Sequence, residues 1–268
     1  MSVVLYERVG NVAVITLNRP EARNSLSPEV LVRLDDAWRE VAADDGVRVA
    51  VLTGTGDKAF CAGADLARLV PLMSGAREAD DEFDRRLLAD GSLMDRASLR
   101  VSDLDKPIIA AINGSAIAGG MEIVQGTDLR IAAEGARFGV QEVKWALFPM
   151  GGSTVRLPAQ LPHAVAMELL LTGDLIDAQQ ALAYGFVNRV VPASEVLAES
   201  LALAERIAAN GPLAVRAVKR SVRDCLGRPE VEAMARELTH GGPVFKTDDA
   251  REGPRAFLEK RAPVFHSR

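Results

Sequence analysis

The chain has 268 residues, of which 48% are hydrophobic and 26% charged, and its formal net charge is −5. This is enough for one large domain, or one domain with an appendage. Nucleic acid is not an expected partner, because phosphate binding needs a concentrated basic surface and no lysine or arginine block is present. No membrane span is expected either, since polar residues interrupt every long apolar run.

Cysteine usage and the N-terminal segment predict a cytoplasmic protein. Cys61 and Cys225 give no disulfide framework, which fits a reducing compartment. Glu7 and Arg8 interrupt the N-terminal segment before an apolar stretch long enough for a signal peptide.

The first half of the chain alternates predicted strands and helices. Short apolar, β-branched runs predict strands over 12–17, 47–54, 107–114 and 129–133. Residues 27–45 predict a helix, because Ser27 can cap its first turn and Pro28 suits its first position. This alternation implies crossover connections and a sheet that is buried on both faces.

The remaining segments read mostly as helices. Residues 71–100 are rich in charge and predict a helical excursion over an opening. After about residue 150, helices are predicted over 163–173, 177–185, 194–211 and 212–227, several of them ending at glycine. One late strand is predicted over 186–191.

Three features of the sequence give little support for a cofactor, nucleophile or metal site. GTGDKA (54–59) follows a strand and loosely fits a dinucleotide-binding loop, but that interpretation needs a helix to open there, and FCAGAD (60–65) looks loop-like. Cys61 is interpreted as a small core residue rather than a nucleophile, since no base is near it in the sequence. The three histidines show no metal-ligand spacing, so no metal is expected.

A carboxylate interrupts the small and apolar stretch GSAIAGGMEIVQG (114–126). If a helix opens at Gly119, its first backbone N–H groups have no intrahelical partner and can bind a developing oxyanion. Glu122 would then lie about one turn further in and face the same ligand.

A second carboxylate, Glu142, also has apolar neighbours, in RFGVQEVKWALFPMGG (137–152). Burial there would raise its pKa and let it exchange a proton near neutrality. The alternative is that each glutamate forms a structural ion pair, for which Arg130 and Arg137 are available. Spacing alone does not bring Glu122 and Glu142 together.

At this point the sequence resembles the crotonase superfamily, and enoyl-CoA hydratases in particular. The resemblance covers essentially the whole chain in an ordered set of motifs: LNRPEARNSLS (17–27), FCAGADL (60–66), AINGSAIAGGMEI (111–123), FGVQEVKWALFPMGGSTVRLP (138–158), LLLTGDLIDAQQALAYGFVNRVV (169–191) and FLEKRAPVF (257–265). It implies an α/β fold, a crotonase-like spiral of ββα turns over 1–200, followed by a helical trimerisation region over 201–268. Homotrimers or dimers of trimers are expected.

The resemblance also implies the functional residues. The backbone N–H groups of Ala64 and Gly119 are expected to hold a thioester carbonyl, and Glu122 and Glu142 to be the two hydratase glutamates. The adenine and phosphate end of coenzyme A is expected along Arg23, Ser25, Leu26, Ala62, Asp65 and Leu66, with Phe257 and Lys260 reaching the coenzyme A of a neighbouring subunit. Gln141, before Glu142, stands where family members often have proline.

The superfamily hosts several reactions on one oxyanion hole, so the fold does not select the chemistry. Two glutamates favour hydration, which must hold a water and also protonate a carbon. The predicted function is reversible syn addition of water to a trans-2-enoyl-CoA, giving a 3-hydroxyacyl-CoA. Glu122 would deprotonate the water and Glu142 would protonate C2, or the roles would be reversed. Coenzyme A enters as the substrate thioester, and no further cofactor is expected.

Two rival functions stay open at this stage. A Δ3,Δ2-enoyl-CoA isomerase would leave one glutamate dispensable. A non-catalytic scaffold that binds acyl-CoA or RNA would turn over no enoyl substrate, and the acidic balance speaks against RNA. The stretches around GTDLR and KWALFPMGGS look most similar to actinobacterial members, some of which act on bulky steroid side-chain thioesters.

Overall fold

Strands from the apolar runs form the centre of the molecule. The structure is a computed structural model, and it describes residues 2–268. Its strands are β1 (Val4–Val9), β2 (Val12–Leu17), β3 (Val49–Gly54), β4 (Ala59–Cys61), β5 (Ile108–Ile112), β6 (Ser115–Ile117), β7 (Leu129–Ala133), β8 (Arg137–Gly139), β9 (Ile176–Asp177) and β10 (Arg189–Val191).

Helices cover these strands and form the C-terminal part. They are α1 (Pro28–Ala43), α2 (Leu69–Met73), α3 (Glu82–Ala89), α4 (Leu93–Ala97), α5 (Gly119–Gln125), α6 (Ser153–Gln160), α7 (His163–Thr172), α8 (Ala178–Ala183), α9 (Val196–Ala208), α10 (Pro212–Cys225), α11 (Glu230–Val244) and α12 (Asp248–Leu258). None of the helices formed by residues 2–268 has the length and hydropathy needed to cross a bilayer.

The strands build two sheets. The larger sheet has the order β1-β2-β3-β5-β7-β10, in which β1 and β2 are antiparallel and all other pairs are parallel. The smaller sheet has the order β4-β6-β8-β9, in which only β8 and β9 are antiparallel. Central strands of the larger sheet are buried on both faces, as their continuous apolar sequences require.

The chain winds as a spiral because consecutive strands alternate between these sheets. In each of the pairs β3–β4, β5–β6 and β7–β8, the first strand joins the larger sheet and the second joins the smaller one. Helices α2 to α4 follow the first pair and α5 follows the second. The fold class predicted from the sequence, a spiral of ββα turns with a helical C-terminal region, is therefore confirmed.

Most long elements lie where the sequence predicts them. In α1, the Ser27 hydroxyl caps the helix by accepting a hydrogen bond from the Val30 N–H at 3.3 Å. The late strand is shorter than predicted, 189–191 rather than 186–191, because Phe186 N and Val187 N donate to the Ala181 carbonyl at the end of α8. The sequence analysis did not predict β1, the short strands β4, β6, β8 and β9, or the helices α6, α11 and α12.

The structure excludes the dinucleotide-binding interpretation of residues 54–59. After β3 the chain turns and enters strand β4, so no helix N-terminus is available to bind a pyrophosphate. The loop-like interpretation of residues 60–65 was wrong for its first two residues, since β4 continues to Cys61. Cys61 itself is buried, and burial raises the pKa of its thiol to about 12, which fits a core residue.

Ion pairs organise the charged segment 71–100, which folds as short helices, as predicted. Arg77 donates to both carboxylate oxygens of the buried Asp84, and Arg68 bridges Asp80 and Asp81 at 3.0 and 2.7 Å. This network fixes α3 against the turn that follows α2. The high local charge is therefore consistent with an ordered structure.

Candidate active site

Three loops meet at one edge of the smaller sheet. Strands β4, β6 and β8 are parallel neighbours, so their carboxyl ends lie side by side. Ala64 follows β4, Gly119 opens the helix after β6, and Glu142 lies in a 3-10 turn after β8. Polar groups at this edge of parallel strands are where α/β folds commonly bind ligands. The spiral therefore brings residues from three successive turns together.

Two backbone amides in these loops lack an acceptor. Gly119 is the first residue of α5, so its N–H has no intrahelical partner. Leu26 bridges the residues on either side of Ala64, donating to the Gly63 carbonyl at 2.8 Å and accepting from Asp65 N at 3.0 Å. This leaves the Ala64 N–H free, and within residues 2–268 neither amide donates a hydrogen bond.

The close approach of the two amides depends on backbone conformation. Gly63 has a φ of +92°, and a Cβ there would lie 2.9 Å from the Ala118 Cβ and 3.1 Å from Gly119 N. Ala118 itself has a φ of 51° and a ψ of −125°, a conformation that costs an L-residue free energy. Its N–H donates to the Gly139 carbonyl at 2.9 Å, which holds this strained residue at the start of α5.

Helix α5 places Glu122 one turn inside the site. Its side chain is only 6% exposed and forms no ion pair with another described residue. Instead, Oε1 accepts hydrogen bonds from the Ser153 hydroxyl at 3.0 Å and from Ser153 N at 3.4 Å. Gly151 lies against the same carboxylate, where a Cβ would collide with it.

Glu142 is held less firmly. The 3-10 turn that carries it spans Glu142–Trp145 and is preceded by Gln141. The Gln141 carbonyl accepts from Lys144 N at 3.1 Å, and its side chain donates to the Gly173 carbonyl at 3.5 Å. The Glu142 carboxyl is partly buried, and its Oε2 is inaccessible and has no hydrogen-bond partner among residues 2–268. The apolar neighbours behave differently from the prediction, because Trp145 and Leu147 point to solvent.

The two carboxyl groups influence each other electrostatically. Burial, together with the negative charge of Glu122, raises the pKa of Glu142 to about 7. Burial also raises the pKa of Glu122, but its hydrogen bonds with Ser153 and Gly151, and the nearby Arg100 guanidinium, oppose that shift. The charge of Glu122 is close enough to affect the Glu142 carboxyl, which supports the expectation that both glutamates face one site. The predicted alternative, a structural pair with Arg130 or Arg137, is not supported: Arg130 binds backbone carbonyls and Gln160.

The residues predicted for coenzyme A fall into two groups. Segments 23–26 and 62–66 lie together, since Ala62 N donates to the Arg23 carbonyl at 3.1 Å and Leu26 is bridged to Ala64. Arg23 is exposed and Ser25 is half-buried, so this strip can meet a ligand from solvent.

Asp65 and Leu66 differ within the same strip. The Asp65 carboxylate already binds Arg19 at 3.0 Å and caps the following turn by accepting from Ala67 N and Arg68 N. Its side chain therefore has a structural role here, and it would reach a ligand through its backbone. Leu66, in contrast, is 76% exposed.

Phe257 and Lys260 lie at the other end of the chain. Phe257 is in the last turn of α12 and is exposed, and Lys260 follows that helix with a φ of 54°. No hydrogen bond or ion pair within residues 2–268 joins either residue to segments 23–26 or 62–66. The prediction that they reach a neighbouring subunit stays a prediction.

Several residues of the site were not predicted from the sequence. Ser153, Gln125 and Gly151 contact Glu122 or its partners, and Arg100 lies close enough to influence its charge. Ser153 is 31 residues from Glu122 in sequence. The one available signal was the glycine pair in MGGST (150–154), which permits close packing against another segment.

Comparisons with known proteins show which family this fold belongs to. A family model described as enoyl-CoA hydratase/isomerase matches residues 7–268. The enoyl-CoA hydratase EchA19 of Mycobacterium tuberculosis is 47% identical over 264 residues, which are 98% of this chain and 96% of that protein. The (E)-benzylidenesuccinyl-CoA hydratase of Thauera aromatica is 41% identical over 98% of each chain. The crystal structure of the enoyl-CoA hydratase EchA1 from Mycobacterium marinum aligns with a TM-score of 0.88 at 39% identity, covering 100% of both chains.

The fold places two free main-chain amides beside two partly or fully buried carboxyl groups, an arrangement typical of enzymes that bind a carbonyl oxygen and transfer protons next to it. The chain belongs to the enoyl-CoA hydratase/isomerase family. The predicted superfamily and the prediction of an enoyl-CoA hydratase type of enzyme are thereby confirmed.

Proposed function

We propose that this enzyme adds water reversibly across the double bond of a trans-2-enoyl-CoA, giving a 3-hydroxyacyl-CoA. The observation that supports this most directly is the unequal pair of carboxyl groups beside the free amides of Ala64 and Gly119. Burial raises the pKa of both carboxyl groups, but hydrogen bonds from Ser153 oppose the shift at Glu122, whereas the pKa of Glu142 reaches about 7. One group suits the role of base and the other the role of acid.

The residues perform the reaction as follows. The thioester carbonyl accepts hydrogen bonds from Ala64 N and Gly119 N. Glu122 removes a proton from water as the water oxygen bonds to C3, and the electron pair of the double bond moves toward the carbonyl oxygen. The two amides stabilise that developing negative charge, and Glu142 then donates its proton to C2. Atoms and charge balance without a metal or a redox cofactor.

Binding of the substrate would use the surfaces on either side of these groups. The strip formed by 23–26 and 62–66 would lie along the coenzyme A portion. The acyl group would extend toward Glu142 and the end of the charged segment, where Arg100 adjoins Gly152. Large apolar side chains beside Glu142 support an apolar acyl group, since Trp145, Phe148 and Met150 are all more than half exposed.

The test is loss of the conjugated-enoyl absorbance of crotonyl-CoA and of longer and steroid-derived analogues on addition of purified enzyme. The wild type should hydrate members of this panel, and Glu122→Gln and Glu142→Gln should each fold and lose most turnover. Wild-type rates in both variants would contradict the mechanism. Conversion of a 3-enoyl-CoA with one glutamate dispensable would instead identify an isomerase, and binding of CoA esters with no turnover would identify a scaffold.

We infer that the chain assembles as a homotrimer or a dimer of trimers through its C-terminal helices. Helix α11 buries none of its side chains within the chain, although Val231, Met234 and Leu238 are apolar. On α10, Val218 and Val222 are exposed as well. Sedimentation should give a mass of at least three chains, and Leu238→Asp should lower that mass. A monomeric wild type would contradict the assembly.

The proposed location is the cytoplasm, in line with the free cysteines Cys61 and Cys225.

A further inference from the structure

A chain of hydrogen bonds runs from Gln125 to the Glu122 carboxylate. Gln125 Nε2 donates to Ser153 Oγ at 3.0 Å, and Ser153 Oγ donates to Glu122 Oε1 at 3.0 Å. The Gln125 side chain is 2% exposed, and Ser153 is completely buried. Glu122 and Gln125 both lie on α5, whereas Ser153 is the first residue of α6. The chain therefore connects two helices through the base of the proposed reaction.

The direction of this chain is set by chemistry. An amide nitrogen can only donate, so the bond from Gln125 occupies a lone pair of the Ser153 oxygen. The single hydroxyl proton of Ser153 is then left to point at Glu122, where an ionised carboxylate is the better acceptor. Ser153 N adds a second donor to the same oxygen at 3.4 Å. Both donors bind the charged form of the carboxylate more strongly than the protonated form.

A rigid frame holds Gln125 in place. Gln160 Nε2 donates to the Gln125 backbone carbonyl at 3.0 Å, and Arg130 donates to Gln160 Oε1 at 3.0 Å. Arg130 also binds the Val124 carbonyl at 3.0 Å, and its guanidinium lies 4.4 Å from the centre of the Phe186 ring. The last turn of α5 is thus fixed on its C-terminal side, which holds the Gln125 backbone in place. The buried side-chain amide is oriented by its own bond to Ser153, since its Oε1 has no hydrogen-bond partner among residues 2–268.

We propose that Gln125 and Ser153 are positioning residues, which hold the Glu122 carboxylate in one orientation through a hydrogen-bond chain of fixed direction. This inference rests on the proposed function, in which Glu122 must direct one oxygen at the attacking water. Ser153 occupies Oε1, so Oε2, which lies against the Gly151 backbone, is the oxygen available to direct at that water. Neither Gln125 nor Ser153 needs to touch the substrate.

Other charges that face Glu122 are Glu142 from the 3-10 turn, Arg100 from the end of the charged segment and Arg156 from α6. Ser153→Ala would leave all three in place. It would remove only the hydroxyl donor, so burial would dominate and the pKa of Glu122 would rise further. The acidic limb of the rate–pH profile should therefore move to higher pH.

The experiment compares Ser153→Ala, Gln125→Leu and Gln125→Glu with the wild type on the enoyl-CoA that the wild type hydrates. Ser153→Ala should lower kcat about ten- to a hundredfold with little change in KM, because charge-assisted hydrogen bonds of this kind contribute on that scale. Gln125→Leu should have a smaller effect of the same kind. Gln125→Glu should lower kcat more than Gln125→Leu does. The new carboxylate would accept a hydrogen bond from the Ser153 hydroxyl, and a lone pair of the Ser153 oxygen would then face Glu122.

Matched controls separate positioning from folding. Ser200 is also completely buried and donates to the Val196 carbonyl of its own helix at 2.8 Å, so Ser200→Ala should leave kcat and the pH profile unchanged. Ser153→Thr should recover part of the activity, because it restores the hydroxyl. In the double variant Ser153→Ala/Gln125→Leu, kcat should equal that of Ser153→Ala alone, since Gln125 acts through Ser153.

Carbon-13 NMR of the Glu122 carboxyl in labelled protein gives a readout that does not depend on turnover. The pKa of Glu122 should be higher in Ser153→Ala than in the wild type, whether or not the enzyme hydrates a tested enoyl-CoA. Absence of hydration would refute the proposed function but would leave the positioning role standing. An unchanged Glu122 pKa in a folded Ser153→Ala variant would overturn the positioning role. So would additive losses in the double variant, or equal rates for Gln125→Glu and Gln125→Leu.

Discussion

The two carboxyl groups of the site lie in regions that are built differently. Glu122 is on a helix that is anchored at both ends, and its carboxylate has two hydrogen bonds from Ser153. Glu142 is on a short 3-10 turn, and one of its oxygens is buried without a partner. The residues after Glu142 expose apolar side chains, whereas those around Glu122 are buried.

This difference suggests a division of labour within one pocket. The region around Glu122 is completed by the protein itself, so its geometry is set before a substrate arrives. The region around Glu142 leaves a polar atom and apolar surface unsatisfied, which a bound acyl group and its water would cover. One half of the pocket is preorganised for chemistry, and the other half is available for selection of the acyl group.

The largest expected effect is loss of either carboxylate. Glu122→Gln and Glu142→Gln should each lower kcat by roughly a hundred- to ten-thousandfold, the usual range for general acid–base groups. If the two regions act as one catalytic unit, kcat of the double variant should be only slightly lower than kcat of the more impaired single variant. Steady-state kinetics of all three variants measure this. Simple multiplication of the two losses would show that the groups act independently.

A smaller loss is expected when the preorganised region is displaced without replacing a catalytic residue. In Gly151→Ala the new Cβ would collide with the Glu122 carboxylate and push it from its position. A misplacement of about 1 Å can cost on the order of a hundredfold in rate. Gly135→Ala is the matched control, because its Cβ would meet nothing within 4 Å. Equal kcat values for the two variants would contradict a preorganised Glu122.

The unpaired Glu142 carboxyl should lower the free energy of unfolding when it is ionised. Burial and the charge of Glu122 raise the pKa of Glu142 from 4.5 to about 7, so ionisation of Glu142 destabilises the folded state. This cost is absent below pH 4.5, grows as the pH rises toward 7 and then stays constant. Glu142→Gln removes it and should be more stable than the wild type at pH 8.

We expect a gain of roughly 1–2 kcal/mol at pH 8, after discounting for the partial exposure of the carboxyl group. Denaturant titrations at pH 8 and pH 4 measure this, and the difference between the two proteins should disappear at pH 4. Glu122→Gln should give less gain, because the neutral amide oxygen would accept the hydrogen bonds from Ser153 more weakly than the carboxylate does. A Glu142→Gln variant less stable than the wild type at pH 8 would show that the Glu142 region is satisfied after all.

The smallest effect concerns selection of the substrate. Trp145 is 77% exposed beside Glu142, so Trp145→Ala should leave the fold and the rate with crotonyl-CoA nearly unchanged. With long or bulky acyl groups, loss of the apolar contact should raise KM several-fold, since a methylene-sized contact contributes about 0.8 kcal/mol. The ratio of kcat/KM between short and bulky substrates, compared in the variant and the wild type, measures this change in acyl-group preference. An equal effect on both would place Trp145 outside the acyl surface.

Sequence reasoning recovered the elements whose signal is local. Strands β2, β3 and β5 are nearly continuous apolar runs, and β7 is apolar except for Arg130. Helix α1 has a capping serine and a first-turn proline. The strands β4, β6 and β8 have three residues each and are too short to show periodicity. They form because neighbouring turns of the spiral supply their partners, and that pairing is not visible in any one segment.

The same limit applies to the site. Glu122 and Glu142 could be found because a carboxylate in an apolar stretch is a local anomaly. Their roles and the amides of Ala64 and Gly119 came from resemblance to a family. Ser153 and Gln125 carry no anomaly of their own, since a serine after a glycine pair and a glutamine at the end of a helix are ordinary. Their partnership depends on the packing of α5 against α6.

Placement of the site at the ends of β4, β6 and β8 has a consequence for how such a chain can diverge. Each functional group is attached to a different winding of the backbone, and the connections between windings differ greatly in length, from the short turn before α5 to the long excursion that contains α2, α3 and α4. Insertions or deletions in one connection therefore leave the other groups in register. A library that varies residues 71–98 and keeps Arg100 should change which acyl chains are accepted while the catalytic groups keep their positions.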